Sequence, residues 1–240
     1  MGFMHNCTIR NSASRTFWHK RAVMKLLAMT DIHSHTANIS RLRDWLQAVD
    51  VVLLAGDLTN GRLKDAQTLI ETLRQYNSRI YAVPGNMDNV EILRYLQAEG
   101  CSIHRSYVTV DDVVIAGMGG ALPFFGKFVY NDDQFATMLT ELAAQLPAMP
   151  QVFVCHQPPY HTALDRIRLG RHVGSKAVRA YIEQHQPLVC FTGHIHKAIG
   201  VDTIGQTQIV NPGRLGSGGV AYAEIAEGRL VDLEMRRIDK

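Results

Sequence analysis

The chain has 240 residues, of which 46% are hydrophobic and 20% charged, a composition that suits one sizeable globular domain. Four of its 25 Lys and Arg residues and none of its 22 Asp and Glu residues lie in residues 1–23, so the rest of the chain carries 21 bases against 22 acids. That balance disfavours a surface that coats extended nucleic acid. No apolar run approaches the roughly 20 residues of a membrane-spanning helix, so no membrane segment is expected.

Residues 1–23 are rich in Ser, Asn and Arg and lack hydrophobic periodicity. We predict that they form a disordered extension ahead of a single domain in residues 24–240. The four cysteines are scattered along the chain without C-x-x-C spacing. They are typical of reduced, mostly buried thiols, so we expect a cytoplasmic protein.

Strands and helices alternate in the first half of this domain. Short apolar runs predict strands at 25–29, 50–54 and 79–83. Apolar residues at helical spacing predict helices over 42–49, 63–76 and 90–98, and Gly100 is expected to end the third of these. The βαβαβα alternation indicates an α/β fold.

Short strands dominate the second half. They are predicted at 102–105, 107–110, 113–117, 152–155 and 188–192, followed by antiparallel strands at 199–202, 208–210, 220–225 and 230–236. Asn131 and Ser175 are expected to cap helices that run to about 146 and 185. We therefore predict one α/β domain with two mixed sheets packed face to face and helices on the outer faces.

Five of the predicted strands end in a loop that begins with Asp, His or Asn. The side chains concerned are Asp31, His33, Asp57, Asn86, His156, His194 and His196. Ligand sites in open α/β sheets lie at the carboxyl ends of the strands, so one fold can bring all seven together. Oxygen and imidazole donors without Cys suit Mn²⁺ best, with Fe or Zn²⁺ as alternatives. Seven ligands suit two ions that share a bridging carboxylate.

In the order of these motifs, the chain resembles the calcineurin-like metallophosphoesterases. The motifs are Asp31-Ile32-His33, Gly56-Asp57, Gly85-Asn86-Met87-Asp88, His156 and Gly193-His194-Ile195-His196. The resemblance covers residues 24–240 and implies a four-layer α/β/β/α sandwich that hydrolyses phosphate esters.

The resemblance also implies how the site works. One divalent ion would be held by Asp31, His33, Asp57 and His196, and the other by Asp57, Asn86, His156 and His194. The expected catalytic residues are Asp57, Asn86 and His156, around a hydroxide that bridges the ions and attacks phosphorus in line.

Met87 departs from the pattern, because many members of the family have a His there that protonates the leaving group or contacts the phosphate. A thioether does neither well. Family members without that His tend towards phosphodiesters, so we expect a phosphodiester of a small or nucleotide-like molecule as the substrate. A phosphomonoesterase or nucleotidase that uses another acid is the alternative, and a non-catalytic scaffold of the same fold is a third reading.

The polar loop that precedes the helix at 175 supplies candidate substrate contacts at His161, Arg171, His172 and Ser175. Ser175 opens a helix, where free amides favour a phosphate, although a plain helix cap explains it equally well. The aromatic residues at 124–130 are expected to form a lid, a contact between copies in a homo-oligomer, or ordinary loop packing.

Replacing Met87 by His is expected to raise hydrolysis of an alkyl phosphomonoester such as glycerol 2-phosphate. An imidazole at this position supplies a proton donor, and general acid catalysis contributes roughly 10²–10⁴-fold when fully realised. The measurement is kcat/KM with Mn²⁺, and Met87→Leu, which is apolar and of similar volume, is the control. Equal activity in the two variants would mean that Met87 is a tolerated substitution.

Overall fold

The structure is a computed structural model that describes residues 23–238, so residues 1–22 of the predicted extension lie outside the described range. Its strands are β1 (Met24–Met29), β2 (Val51–Ala55), β3 (Ile80–Val83), β4 (Ser106–Val110), β5 (Val113–Met118), β6 (Gln151–Cys155), β7 (Val189–Phe191), β8 (Gly200–Ile204), β9 (Thr207–Asn211), β10 (Gly219–Ala226) and β11 (Arg229–Arg237). Its α-helices are α1 (Arg43–Ala48), α2 (Leu63–Arg74), α3 (Val90–Ala98), α4 (Asp132–Ala143) and α5 (Lys176–His185). Among the described residues, no helix has both the length and the apolar character needed to cross a membrane.

The strands form two mixed sheets. The first has the order β11-β10-β1-β2-β3, in which β1, β2 and β3 are parallel and β10 and β11 run antiparallel to their neighbours. The second has the order β4-β5-β6-β7-β9-β8, in which β5, β6, β7 and β9 are parallel and β4 and β8 are antiparallel edge strands. In each sheet the carboxyl ends of the parallel strands therefore lie on a common edge. The loops that carry the predicted metal ligands begin at these edges.

Strand β1 shows why the sheets stack. Its side chains alternate between two faces, and both are buried because the strand is apolar apart from the partly buried Lys25. Leu26 and Ala28 belong to the core between the sheets, together with Phe191 of the second sheet. Leu27 and Met29 belong to a separate core beneath α1, α2 and α3.

The second sheet is covered in the same way on its outer face. Phe153 of β6 packs there in a third core with Phe135 of α4 and Ile182 of α5. Helices thus cover the outer face of each sheet, and the predicted four-layer α/β/β/α sandwich is confirmed.

The predicted helix ends agree with the structure. The side chain of Asn131 accepts a hydrogen bond from the backbone N–H of Gln134 at 2.8 Å, and the Gln134 side chain accepts one from the backbone N–H of Asn131 at 2.8 Å, so both halves of a capping box are present. Ser175 caps α5 through the backbone N–H of Val178 at 3.0 Å. Gly100 follows α3 with φ +67°.

The predicted strand at 102–105 is wrong. Ser102 bridges to Ala82 in the first sheet, whereas His104 bridges to Gly117 in the second. The segment therefore crosses between the two sheets and does not run along either of them. The sequence of this segment looks like a strand because Ser102 and His104 each pair with a strand, and Ile103 between them is buried.

Candidate metal centre

The loops after β1, β2, β3, β6 and β7 meet where the two sheets face each other. The backbone N–H of Asp31 donates to the carbonyl of Gly56 at 3.0 Å, and that of His33 donates to the carbonyl of Asp57 at 2.9 Å. The backbone N–H of His194, from the second sheet, donates to the Asp31 carboxylate at 3.2 Å. The loops that carry Asp31, Asp57 and His194 therefore meet in one place.

Four of them form a tight group. Asp31, His33, Asp57 and His196 each offer one ligand atom, and these atoms lie within 4.8 Å of one another. The Nε2 atom of His33 is 3.1 Å from that of His196 and 3.6 Å from Oδ2 of Asp57. The Nε2 atom of His196 is also 3.2 Å from Oδ1 of Asp31. Donors of this kind at these separations can surround one cation.

The other predicted ligands lie on the opposite side of Asp57. The Nε2 atom of His156 is 3.5 Å from Oδ1 of Asp57 and 3.1 Å from Oδ1 of Asn86. The imidazole of His194 contacts that of His156 edge to face, with ring centroids 5.2 Å apart. The two carboxylate oxygens of Asp57 thus point in different directions, Oδ2 to His33 and Oδ1 to His156.

Hydrogen bonds to the remote ring nitrogens orient two of the histidines. Nδ1 of His33 is 3.1 Å from the side-chain oxygen of Asn60, and Nδ1 of His156 is 2.8 Å from the backbone carbonyl of Ala55. Both partners are acceptors, so each Nδ1 carries a proton and each Nε2 faces the site. This arrangement is common for metal-ligating histidines.

The charges of the site fit divalent cations. Asp31 is fully buried and Asp57 almost so, and in the described part of the chain only His side chains form ion pairs with them. Burial raises the pKa of Asp31, but hydrogen bonding to His196 and the charge of His156 outweigh it, so the pKa is lowered and the group is ionised. Burial lowers the pKa of His194 to about 3, so this imidazole is neutral and free to coordinate. The ionised Asp31 beside the neutral His194 leaves negative charge that a bound metal ion would neutralise.

The backbone is strained at these positions. Asp31, His33, Asp57 and His194 all have positive φ, between 49° and 68°. Non-glycine residues seldom adopt this left-handed conformation, and such residues cluster at functional sites. The surrounding hydrogen bonds hold each of these residues in a conformation that is uncommon for a residue with a Cβ atom.

Gly193 makes the approach of the two sheets possible. A Cβ atom at this position would lie 1.9 Å from Oγ1 of Thr30 and 2.8 Å from Oδ2 of Asp31. Any side chain would therefore push the loop that carries His194 and His196 away from β1. Asn211 supports the same loop, since its side chain donates to the carbonyl of Ile195 at 3.1 Å.

Asp88 is a structural residue of the site that the sequence analysis did not single out. Its buried carboxylate accepts hydrogen bonds from the backbone N–H groups of Leu58, Thr59 and Gly85 and from the Thr59 hydroxyl, at 2.8–3.0 Å. Burial, with a further contribution from the negative charge of Asp57, raises its pKa to about 6. Asp88 therefore connects the two loops that carry Asp57 and Asn86. In the sequence, the clue to this role was its place in the motif Gly85-Asn86-Met87-Asp88.

A cavity of about 830 Å³ opens above the centre. Its floor holds His33, Asp57, Asn86, His194 and His196, and its walls hold Met87, Leu122, Pro123, Phe124, Phe125, Ile167, Val173 and Ile195. Phe124 is 96% exposed and Phe125 66%, whereas Phe128 is buried against His104 and Tyr130. The aromatic loop therefore combines ordinary packing with two apolar side chains at the cavity.

The predicted substrate contacts divide into two groups. Arg171 and His172 line the cavity, whereas His161 and Ser175 do not. His161 stacks on the outer side of His172, with ring centroids 4.6 Å apart. Ser175 is fully buried, where its hydroxyl caps α5 and donates to Asp132 at 2.5 Å, although the neighbouring Gly174 does reach the cavity. Of the two explanations for Ser175, the structure therefore supports the helix cap.

Arg214 lines the cavity and was not anticipated. Its Nε is buried without a hydrogen-bond partner, and in the described part of the chain its guanidinium forms no ion pair. A cation of this kind beside a phosphoester site can bind the anionic phosphoryl group. The sequence gives no local signal for it, since it lies eighteen residues beyond His196 in a turn after β9.

Comparison with known proteins identifies relatives of the whole domain. A family model described as the calcineurin-like phosphoesterase superfamily domain matches residues 24–227. The uncharacterised protein MJ1162 of Methanocaldococcus jannaschii is 30% identical over 196 residues, which cover 79% of this chain and 88% of that protein.

Solved structures share the fold. The crystal structure of TT1561 from Thermus thermophilus matches with a TM-score of 0.71 and 20% identity, covering 91% of this chain and 100% of that chain. A 5'-nucleotidase from Candida albicans matches with a TM-score of 0.59 and 13% identity, covering 90% of this chain and 51% of that chain. At these identities the similarity concerns the scaffold, not the substrate.

Replacing Asp88 by Ala is expected to lower the free energy of unfolding of the metal-free protein by roughly 3 kcal/mol or more, because it leaves several buried donors without an acceptor. Urea unfolding followed by circular dichroism measures the change. Glu71→Ala, at an exposed position in α2, is the control and should stay within about 0.5 kcal/mol. A loss below about 1 kcal/mol in Asp88→Ala would mean that water replaces the carboxylate.

Proposed function

The chain belongs to the calcineurin-like phosphoesterase superfamily, and on this premise we propose that it is a dinuclear-metal phosphodiesterase that acts on a small or nucleotide-like diester. The main support is the position of Met87. Its thioether lines the cavity directly beside the proposed ligand Asn86. A thioether has no proton to donate and is only a weak acceptor. Family members without a His at this position tend towards phosphodiesters, so Met87 favours a diester substrate.

We propose that Asp31, His33, Asp57 and His196 hold one ion and that Asp57, Asn86, His156 and His194 hold the other. Mn²⁺ suits this oxygen and imidazole set best, and Fe and Zn²⁺ are alternatives. When bound, two divalent ions acidify a water molecule and neutralise charge on the phosphoryl oxygens. The tight grouping of the first four ligand atoms supports the first assignment. The second draws support from the contacts among Asp57, Asn86 and His156.

Asp57 and Asn86 have different parts in this proposal. The two oxygens of Asp57 point to His33 and to His156, as a bridging carboxylate requires. The amide nitrogen of Asn86 donates to the carbonyl of Phe125 at 3.0 Å, which directs its oxygen towards His156 and into the site. Asn86 thereby adds an oxygen ligand without adding negative charge, which favours the approach of an anionic substrate.

The cavity provides for the rest of the substrate. Its volume is far larger than a phosphate needs and lies within the usual range for small-molecule sites. Arg171 and Arg214 contribute positive charge at its wall, while Phe125 and Ile167 contribute apolar surface. A diester with one planar or apolar ester group fits this combination, and extended nucleic acid remains disfavoured by the charge balance of residues 24–240.

The substrate preference is tested with Mn²⁺-loaded protein on bis-p-nitrophenyl phosphate and p-nitrophenyl phosphate. We expect kcat/KM on the diester to exceed that on the monoester by roughly tenfold or more, since the second p-nitrophenyl group can bind the apolar surface of Phe125 and Ile167. Higher activity on the monoester would favour a phosphomonoesterase or nucleotidase. Hydrolysis of neither, with no metal found by elemental analysis, would favour a non-catalytic scaffold.

Metal occupancy tests the two ligand sets separately. We expect elemental analysis to find two Mn²⁺ per wild-type chain and about one in His196→Ala, because this change removes a ligand of only one ion. The neighbouring exposed Lys197 provides the control, and Lys197→Ala should retain both ions. Two ions in His196→Ala would contradict the proposed assignment.

A further inference from the structure

The loop between β6 and α5 is organised around Asp165. This carboxylate is fully buried, and it accepts hydrogen bonds from the backbone N–H groups of His161 and Thr162 at 3.0 Å and of Gly174 at 2.9 Å. Those donors lie on both sides of Asp165 in the sequence. The carboxylate is therefore fixed in position by the backbone of its own loop, before any side chain is considered.

His172 is the side chain that this carboxylate holds. Its Nδ1 is 2.6 Å from Oδ1 of Asp165, so the Nδ1 proton is donated to the carboxylate. The imidazole lines the cavity above the metal centre, and its side chain is 16% exposed. With Nδ1 committed to Asp165, Nε2 is the nitrogen left for a ligand in the cavity.

An imidazole oriented by a buried carboxylate is suited to proton transfer. The carboxylate fixes the ring orientation and stabilises the imidazolium form, as in hydrolases where a third group orients the catalytic base. Other polar side chains of the cavity are less suitable. The guanidinium groups of Arg171 and Arg214 do not release a proton, and His35 is exposed, with its Nδ1 2.9 Å from the carbonyl of His33.

We propose that His172 is the catalytic proton donor to the leaving group, in place of the acid that Met87 cannot supply, and that Asp165 is its positioning residue. This proposal rests on the proposed phosphodiesterase function. A water oxygen forms the new bond to phosphorus and gives up one proton to solvent. The P–O bond to the leaving group breaks, and its electron pair remains on the leaving oxygen, which takes the Nε2 proton of His172. The neutral imidazole then regains a proton from solvent.

The groups around His172 set the conditions for a pH test. His161 stacks on its ring, and Tyr160 contacts it edge to face with centroids 5.9 Å apart. Lys176 of α5 lies over the Tyr160 ring, 5.6 Å from its centroid. Arg166 pairs with His172 through the backbone. Asp165 is thus the only carboxylate among these groups.

The first test compares leaving groups. Two methyl phosphodiesters are used with the Mn²⁺-loaded enzyme, one with p-nitrophenol and one with a simple alcohol as the leaving group. His172→Gln should lose roughly 10²–10⁴-fold in kcat on the alkyl leaving group and less than about tenfold on p-nitrophenol, which leaves without protonation. Arg168→Gln, at an exposed position of the same loop that does not line the cavity, should match wild type on both.

The second test uses pH and needs no further variant. With the alkyl leaving group, wild-type kcat should fall at high pH as the imidazolium loses its proton. This limb of the profile should be absent in His172→Gln. A ring that only contacts the phosphate would change KM and not remove the limb.

The third test does not depend on activity. In metal-free wild-type protein, a long-range ¹H–¹⁵N spectrum should show His172 with Nδ1 protonated and a downfield Nδ1 proton, and this proton should be lost in Asp165→Asn. The measurement on wild type stands even if Asp165→Asn fails to fold, because His172→Gln assigns the signal.

Different outcomes overturn different statements. Equal losses on both leaving groups in His172→Gln, or a His172 ring in the metal-free protein that carries its proton on Nε2 and none on Nδ1, would overturn the role of His172 alone. A wild-type enzyme that hydrolyses no phosphoester would overturn the proposed function and this inference with it.

Discussion

The two halves of the structure meet around two buried carboxylates, Asp31 and Asp57. They lie at the junction of the two sheets, where isolated negative charge is costly and the described surroundings offer only imidazoles as charged partners. The site fits divalent cations for this reason. The strained backbone of the ligand residues and the clamp formed by Asp88 are consistent with a structure that maintains these positions before a ligand binds.

The layered fold holds the loops of the candidate centre in fixed positions. Parallel strands that are apolar on both faces place every ligand loop at the same edge of a sheet, and the core between the sheets brings the two edges together. The close contact between Gly193 and Thr30 fixes how near the sheets come. The proposed dinuclear centre would need this precision, because an error of an ångström in ligand position changes affinity and rate directly.

The solved structures that resemble this chain share the scaffold, whereas specificity belongs to the loops that build the cavity wall. Two loops matter most here. One carries the exposed Phe124 and Phe125 and is held to the centre through Asn86, and the other carries Arg171 and His172 and is held by Asp165. Both connect the cavity wall to a fixed polar group, so we expect changes in these loops to alter substrate preference without disturbing the sheets.

Local patterns in the sequence determined most of the strands, the helix caps at Asn131 and Ser175, and the seven side chains of the candidate centre. These features depend on neighbours within a few residues, or on the rule that strand ends converge. Only the tertiary structure decided that residues 102–105 cross between sheets, that His172 and not His161 reaches the cavity, and that Arg214 joins it. The reason is physical: each of these outcomes depends on contacts between segments far apart in sequence, which no local periodicity records.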